Sequence, residues 1–153
     1  MQHVFLVGAK SLGAYGGYET FINKLTEYHQ SNPDIKYPNG QGASVPDGVK
    51  VVNGRYTYHN ADCFQIKIPE KLGPAQAIYY DCAALKKSIE IIKEEKISNP
   101  IIYIMTCRIG PFFNYFCRAI HKLGGRVFLN PDGWKDIIWL NQKTPHKYSV
   151  LTA

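Results

Sequence analysis

The chain has 153 residues, a formal charge of +6, 45% hydrophobic side chains and 20% charged ones, which is enough for one domain with its own core and excludes a disordered chain. No stretch reaches the roughly 18 consecutive apolar residues that a membrane-spanning helix needs, and Met1 to Gly8 reads as a strand, not a secretory signal. The charge permits an anionic partner, whether a nucleotide diphosphate, a nucleic acid or an anionic membrane surface, and a merely basic solvated surface accounts for it equally.

The order of patterns predicts an α/β domain with a mostly parallel sheet flanked by helices. The run Val4-Phe5-Leu6-Val7 has almost no polar alternation, as expected of a strand covered on both faces, and Gly8 ends it. After the loop Ala9 to Tyr15, a helix is predicted from about 17 to 30. Its apolar face is Tyr18, Phe21, Ile22, Leu25 and Tyr28, and Asn32-Pro33 stops it. Residues 36–54 should supply the second buried strand, yet only Val49, Val51 and Val52 suit one. The density of Gly, Pro and Asn from Pro38 to Ser44 predicts a mobile loop, or a strand without a recognisable pattern. Arg55 to His59 and Cys63 to Ile68 read as two strands, separated at Asn60-Ala61-Asp62 by a hairpin turn or a kink.

Gly73-Pro74 opens the longest helix, about 74 to 96, with Ile78, Cys82, Leu85, Ile89 and Ile92 on one face. Ile101 to Met105 is the clearest buried strand, and the span from 63 to 105 reads as a strand–helix–strand unit. The next helix, about 111 to 123, buries Phe112, Phe116, Ala119, Ile120 and Leu123, and Gly124-Gly125 caps it. Arg126 to Asn130 is the last strand. The domain is expected to end near residue 134, with 135–153 as an atypical C-terminal tail or truncated continuation.

Candidate site residues sit where strands end. Gly16-Gly17 opens a helix, where glycine lets a phosphate or carbohydrate approach the backbone; a steric turn explains the pair as well. Glu19 lies in the first turn, where a negative charge is favourable with or without a ligand. Arg108 follows a buried strand and is placed either to clamp a phosphate or sugar hydroxyl or to order its loop through a salt bridge. Asp132 and Gly133 occupy the matching place after the next strand. Asp132 there fits a general base or hydroxyl acceptor, or an N-cap.

Neither G-x-G-x-x-G nor a Walker motif is present, so no nicotinamide, flavin or P-loop cofactor is indicated. Cys63, Cys82, Cys107 and Cys117 lack metal-ligand spacing, and read as small core residues of a reducing compartment. Scattered Lys and Arg without a recognition motif speak against nucleic acid.

Five segments, HVFLVGAKSLGAYGGYETFINKLTEY, YHNADCFQIKIP, GPAQAIYYDCAAL, NPIIYIMTCRIGPF and IHKLGGRVFLNPDG, resemble bacterial rhamnosyltransferases of capsule and cell-wall polysaccharide synthesis. Those are retaining glycosyltransferases of the GT-B fold, and the similarity covers about residues 3–35 and 55–134. The resemblance implies the N-terminal, acceptor-side half of such an enzyme, without a metal. The donor, dTDP-rhamnose, would be held mainly by a second domain, and the acceptor would be a lipid-linked saccharide. A cytoplasmic place, peripheral to the inner membrane face, goes with it. By this resemblance Gly16, Gly17 and Glu19 match the loop approaching the donor diphosphate, while Arg108, Asp132 and Gly133 line the cleft. The chain departs from the pattern at 37–54, and after Gly133, where Trp134 stands in place of a histidine-containing stretch. The 153 residues alone are therefore expected to turn over poorly. The alternatives are a non-catalytic nucleotide- or polyanion-binding domain and an interaction scaffold.

Overall fold

The structure, a computed structural model, describes residues 1–9, 16–41, 45–106 and 108–130. In chain order these form β1 (Gln2–Val7), α1 (Gly17–Tyr28), β2 (Ile35–Gln41), β3 (Arg55–Tyr58), β4 (Ala61–Gln65), α2 (Gln76–Glu94), β5 (Ile101–Ile104), α3 (Phe113–Lys122) and β6 (Arg126–Leu129). The six strands make one sheet in the order β3-β4-β2-β1-β5-β6. Every neighbouring pair is parallel except β3 with β4, an antiparallel hairpin turning at His59-Asn60. This is a mixed α/β fold with a mostly parallel sheet, and the hairpin settles the alternative left open at residues 60–62.

Alternate residues of each strand face opposite layers. Phe5 and Val7 of β1 join Phe64, Ile102 and Ile104 under α2 and α3, which contribute Leu85, Ile92, Phe116 and Ile120. Leu6 joins Tyr37, Cys63 and Met105 under α1, which contributes Ile22. Burial on both faces explains why β1 lacks alternation. Each fully buried Leu, Ile or Phe contributes about 1.5–3 kcal/mol before the entropy of ordering is set against it.

Of the two alternatives left open from Pro38 to Ser44, the chain takes the strand as far as Gln41: Ile35–Gln41 form β2, an interior strand, and residues 42–44 lie outside the described residues. Proline lacks the N–H that a ladder uses, and normally argues against a central strand. The β1–β2 pairing accommodates it: His3 pairs with Lys36 and Leu6 with Asn39, while the two positions between, at Tyr37 and Pro38, are not paired with β1. Pro38 still takes its place against Asp62 of β4. Gly40 is needed for packing, since a Cβ there would come within 3.0 Å of Ala84 on α2. Val51 and Val52, the expected strand residues, are exposed.

The helix faces are also rotated from those the apolar spacing predicts. In α1, Phe21 and Tyr28 are exposed, while Thr26 is fully buried and returns its hydroxyl to the Ile22 carbonyl at 2.9 Å. In α2, Ile78 is exposed and Asp81 is buried; before α3, Phe112 is exposed. The α3 terminus agrees with the sequence, as Gly124 adopts φ +76, the left-handed conformation that ends a helix.

Candidate functional site

The chain leaves β1 through α1 to β2 on one side, and reaches β5 from β4 through α2 on the other. The winding therefore changes direction between β1 and β5. In open parallel sheets a crevice forms outside the carboxyl ends of the strands at such a point, and ligands bind there. Here those ends are Gly8-Ala9 of β1 and Thr106 and Arg108 after β5.

Gly8 has φ +123, and a Cβ would lie 3.2 Å from Met105 Cβ and 3.3 Å from Thr106 Oγ1. Only glycine combines that backbone angle with so close an approach of the two strand ends. Arg108 bridges them. Its Nη2 donates to the Gly8 carbonyl at 3.1 Å, and its Nε lies 3.1 Å from both Asp81 Oδ2 and Thr106 Oγ1. Thr106 Oγ1 in turn donates to Asp81 Oδ2 at 2.9 Å. Asp81 has no exposed surface, whereas about a third of the Arg108 side chain, 34%, is exposed. A buried carboxylate thus fixes a half-buried guanidinium.

The residue before Asp81 binds the other side of the crevice. The Tyr80 hydroxyl is shared between the carbonyls of Ala9 and Gly40, the latter at 2.5 Å, so one phenol ties the ends of β1 and β2 to α2. Burial raises the Tyr80 pKa first of all, the charges of Asp81 and Glu19 raise it further, and Arg108 opposes them. Tyr80 therefore stays a neutral donor, and Glu19 is close enough for its charge to be felt there.

Glu19 reaches this place by folding back over the start of α1. A Cβ on Gly16 would fall 2.2 Å from Glu19 Oε2, so glycine at 16 makes room for the carboxylate. The backbone of Gly16 is extended and asks nothing special of glycine, and Gly17 has no atom near its missing Cβ. The negative charge favoured at this helix N-terminus is thus supplied by the chain's own Glu19. The charges of Arg108 and Glu19 thus both act on Tyr80, in opposite directions. Asp132, Gly133 and Cys107 lie outside the described residues.

Sequence reasoning missed Tyr80, Asp81 and Thr106. A usable signal existed for Asp81, which is in helical phase with Leu85 and Ile92 of the buried stripe. A carboxylate in phase with such a stripe requires a buried partner. Among the described residues no cluster of His, Cys, Asp and Glu could hold a metal ion, and no helix is long and apolar enough to cross a membrane.

A domain of unknown function, DUF1972, matches the chain over residues 1–150. The chain belongs to this family. No curated protein matches the chain.

Proposed function

We propose that this DUF1972 domain is the acceptor-side half of a GT-B retaining glycosyltransferase that passes rhamnose from dTDP-rhamnose to a hydroxyl of a lipid-linked polysaccharide precursor. The observation that carries the reading is the Arg108 guanidinium, held by buried Asp81 at the carboxyl ends of β1 and β5. The resemblance of the five sequence segments to rhamnosyltransferases supports the reaction class. As the sugar–phosphate bond breaks, negative charge grows on the leaving diphosphate. A fixed cation stabilises that charge without having to reorganise.

Glu19 and Arg108 divide the work by charge. A carboxylate already at the α1 N-terminus repels a phosphate there and accepts hydrogen bonds from sugar hydroxyls. The guanidinium takes the phosphate side. Asp132 and Gly133 are assigned to the cleft by the resemblance alone, Asp132 as hydroxyl acceptor or base.

Calorimetric titration tests this with dTDP, dTDP-rhamnose and a short lipid-linked saccharide in detergent. Saccharide binding is expected, weakened about tenfold by Glu19→Gln, the effect of one charged hydrogen bond. Nucleotide binding is expected to weaken by a similar factor in Arg108→Lys, which keeps the charge and loses the planar fork. Nucleotide binding without saccharide binding would instead identify a non-catalytic nucleotide-binding domain. Binding of neither ligand would overturn the proposal.

A further inference from the structure

The turn that leads into β3 carries a chemistry that the crevice does not use. Val52 and Arg55 close it through two backbone bonds, Val52 N to the Arg55 carbonyl and Arg55 N to the Val52 carbonyl, each 2.9 Å. Between them Asn53 and Gly54 adopt φ 52 and 72, the left-handed pair of a two-residue hairpin turn, for which Asn-Gly is the favoured dipeptide. Asn53 is exposed, and Val52 before it is 67% exposed. The Gly54 carbonyl accepts from Gln65 N at 2.8 Å, but the Gly54 N–H takes no part in the bonds that close the turn. Apart from its chain neighbours, nothing lies within 4 Å of the Cβ position at Gly54, so the backbone there has room to rearrange.

Glycine puts no side chain in the way of its own nitrogen, which can therefore approach the amide carbon of the asparagine before it. We propose that Asn53 is a site of spontaneous covalent modification. Opening the turn breaks two hydrogen bonds at a sheet edge, an event from the low-stability end of local unfolding. The Gly54 nitrogen loses its proton to solvent base and bonds to Asn53 Cγ. The Cγ–Nδ2 bond breaks, and ammonia leaves with a proton taken from water. Water then opens the cyclic imide at either carbonyl and leaves an aspartyl or an isoaspartyl residue at position 53. The product adds a negative charge two residues from Arg55, which pairs with Glu95 at 3.1 Å. That charge stands on the rim of a groove of about 820 Å³, lined also by Lys67, Lys87 and Glu94. In the isoaspartyl form the main chain is one carbon longer and cannot keep both Val52–Arg55 bonds.

Asn39-Gly40 is the same dipeptide in the opposite setting. Asn39 has no exposed surface, Gly40 is paired with Phe64, and a Cβ on Gly40 would come within 3.0 Å of Ala84. The main chain cannot swing there while the sheet is intact. The inference therefore rests on where the fold puts each dipeptide, and it stands independently of the transfer reaction proposed above.

Incubation of the folded 153-residue chain at mildly alkaline pH, then brief tryptic digestion and mass spectrometry, tests it. Cleavage after Lys50 and Arg55 isolates Asn53 in the peptide 51–55, and cleavage after Lys36 and Lys50 places Asn39 in 37–50. The peptide 51–55 should gain the mass that separates acid from amide, resolve into two products, and convert faster as pH rises. On cation exchange the intact protein should lose one unit of its formal charge of +6. In the folded chain Asn39 should convert at least about tenfold more slowly, since it waits for the sheet to open, and urea should remove the difference. Asp47-Gly48, in the same peptide as Asn39, forms an isoaspartyl link without a mass gain and so does not confuse the reading. Gly54→Ala should slow conversion of Asn53 by hindering the nitrogen. Asn53→Gln should abolish the mass gain in 51–55. Conversion of Asn53 no faster than that of Asn39 in the folded chain, or unchanged by Gly54→Ala, would overturn the inference.

Discussion

Asp81 accepts hydrogen bonds from Thr106 and Arg108 in a place without solvent, so its carboxylate and the guanidinium depend on each other. Removing one member of such a pair leaves the other's polar groups uncompensated, which costs about 3–5 kcal/mol. Asp81→Ala is expected to show a loss of that order in urea unfolding. The side chain of Arg108 keeps partial access to water, which favours the lower end. A loss under about 1 kcal/mol would mean that the pair does not hold the strand ends. Arg108 was visible in the sequence because it follows an apolar strand. Its partner was hidden, because Asp81 lies 27 residues earlier and only the α2–β5 crossover brings them together.

At the scale of elements, the two strand ends flanking the crevice meet at Gly8. Gly8→Ala requires a side-chain residue at φ +123 with its Cβ against Met105 and Thr106. Backbone strain of this kind costs on the order of 1–3 kcal/mol. A thermal melt should show the lower midpoint, and Arg108 should lose its contact with the Gly8 carbonyl. Gly17→Ala is the contrast, with open space around the added carbon and a better helix former in place of glycine, so its midpoint should stay or rise. β1, β5 and the bodies of α1, α2 and α3 were legible because hydrophobic period and capping residues agree there. β2 was not, because its strand order is imposed by β1 and β4 on a segment containing Pro38 and Gly40, which local propensity assigns to a turn. The helix faces were misread where Phe21, Ile78 and Phe112 point outward. Apolar spacing gives a stripe, but the neighbouring sheet decides which edge of the stripe it covers.

The molecule as a whole keeps several weak acids protonated in its interior. Burial pushes the Cys63 thiol up to about 12 and Cys117 to about 11, and it raises Cys82, Tyr37, Tyr56 and Tyr80. Above the ordinary thiol value of 9.0, unfolded cysteines lose their protons while the folded ones retain them. The unfolded state then binds fewer protons, so stability is full below about pH 9 and falls as pH rises toward the folded values. The urea midpoint should decline between pH 8 and 10.5, and Cys63→Ala should make the decline shallower. A midpoint independent of pH over that range would contradict this. Iodoacetamide at pH 8 should leave Cys63 unlabelled until urea is added.

The sequence by itself determined the class of fold, the bodies of the three helices and of β1 and β5, the place of Gly16 and Glu19 at a helix start and that of Arg108 after a strand. Those features follow from hydrophobic period, glycine and chain order, which act over a few residues. The tertiary structure decided that Pro38 and Gly40 lie inside the sheet and that Asp81 and Thr106 hold Arg108. Each of these depends on a contact between segments far apart in the chain. Such contacts are set by sheet order and close packing, and no window of neighbouring residues encodes them.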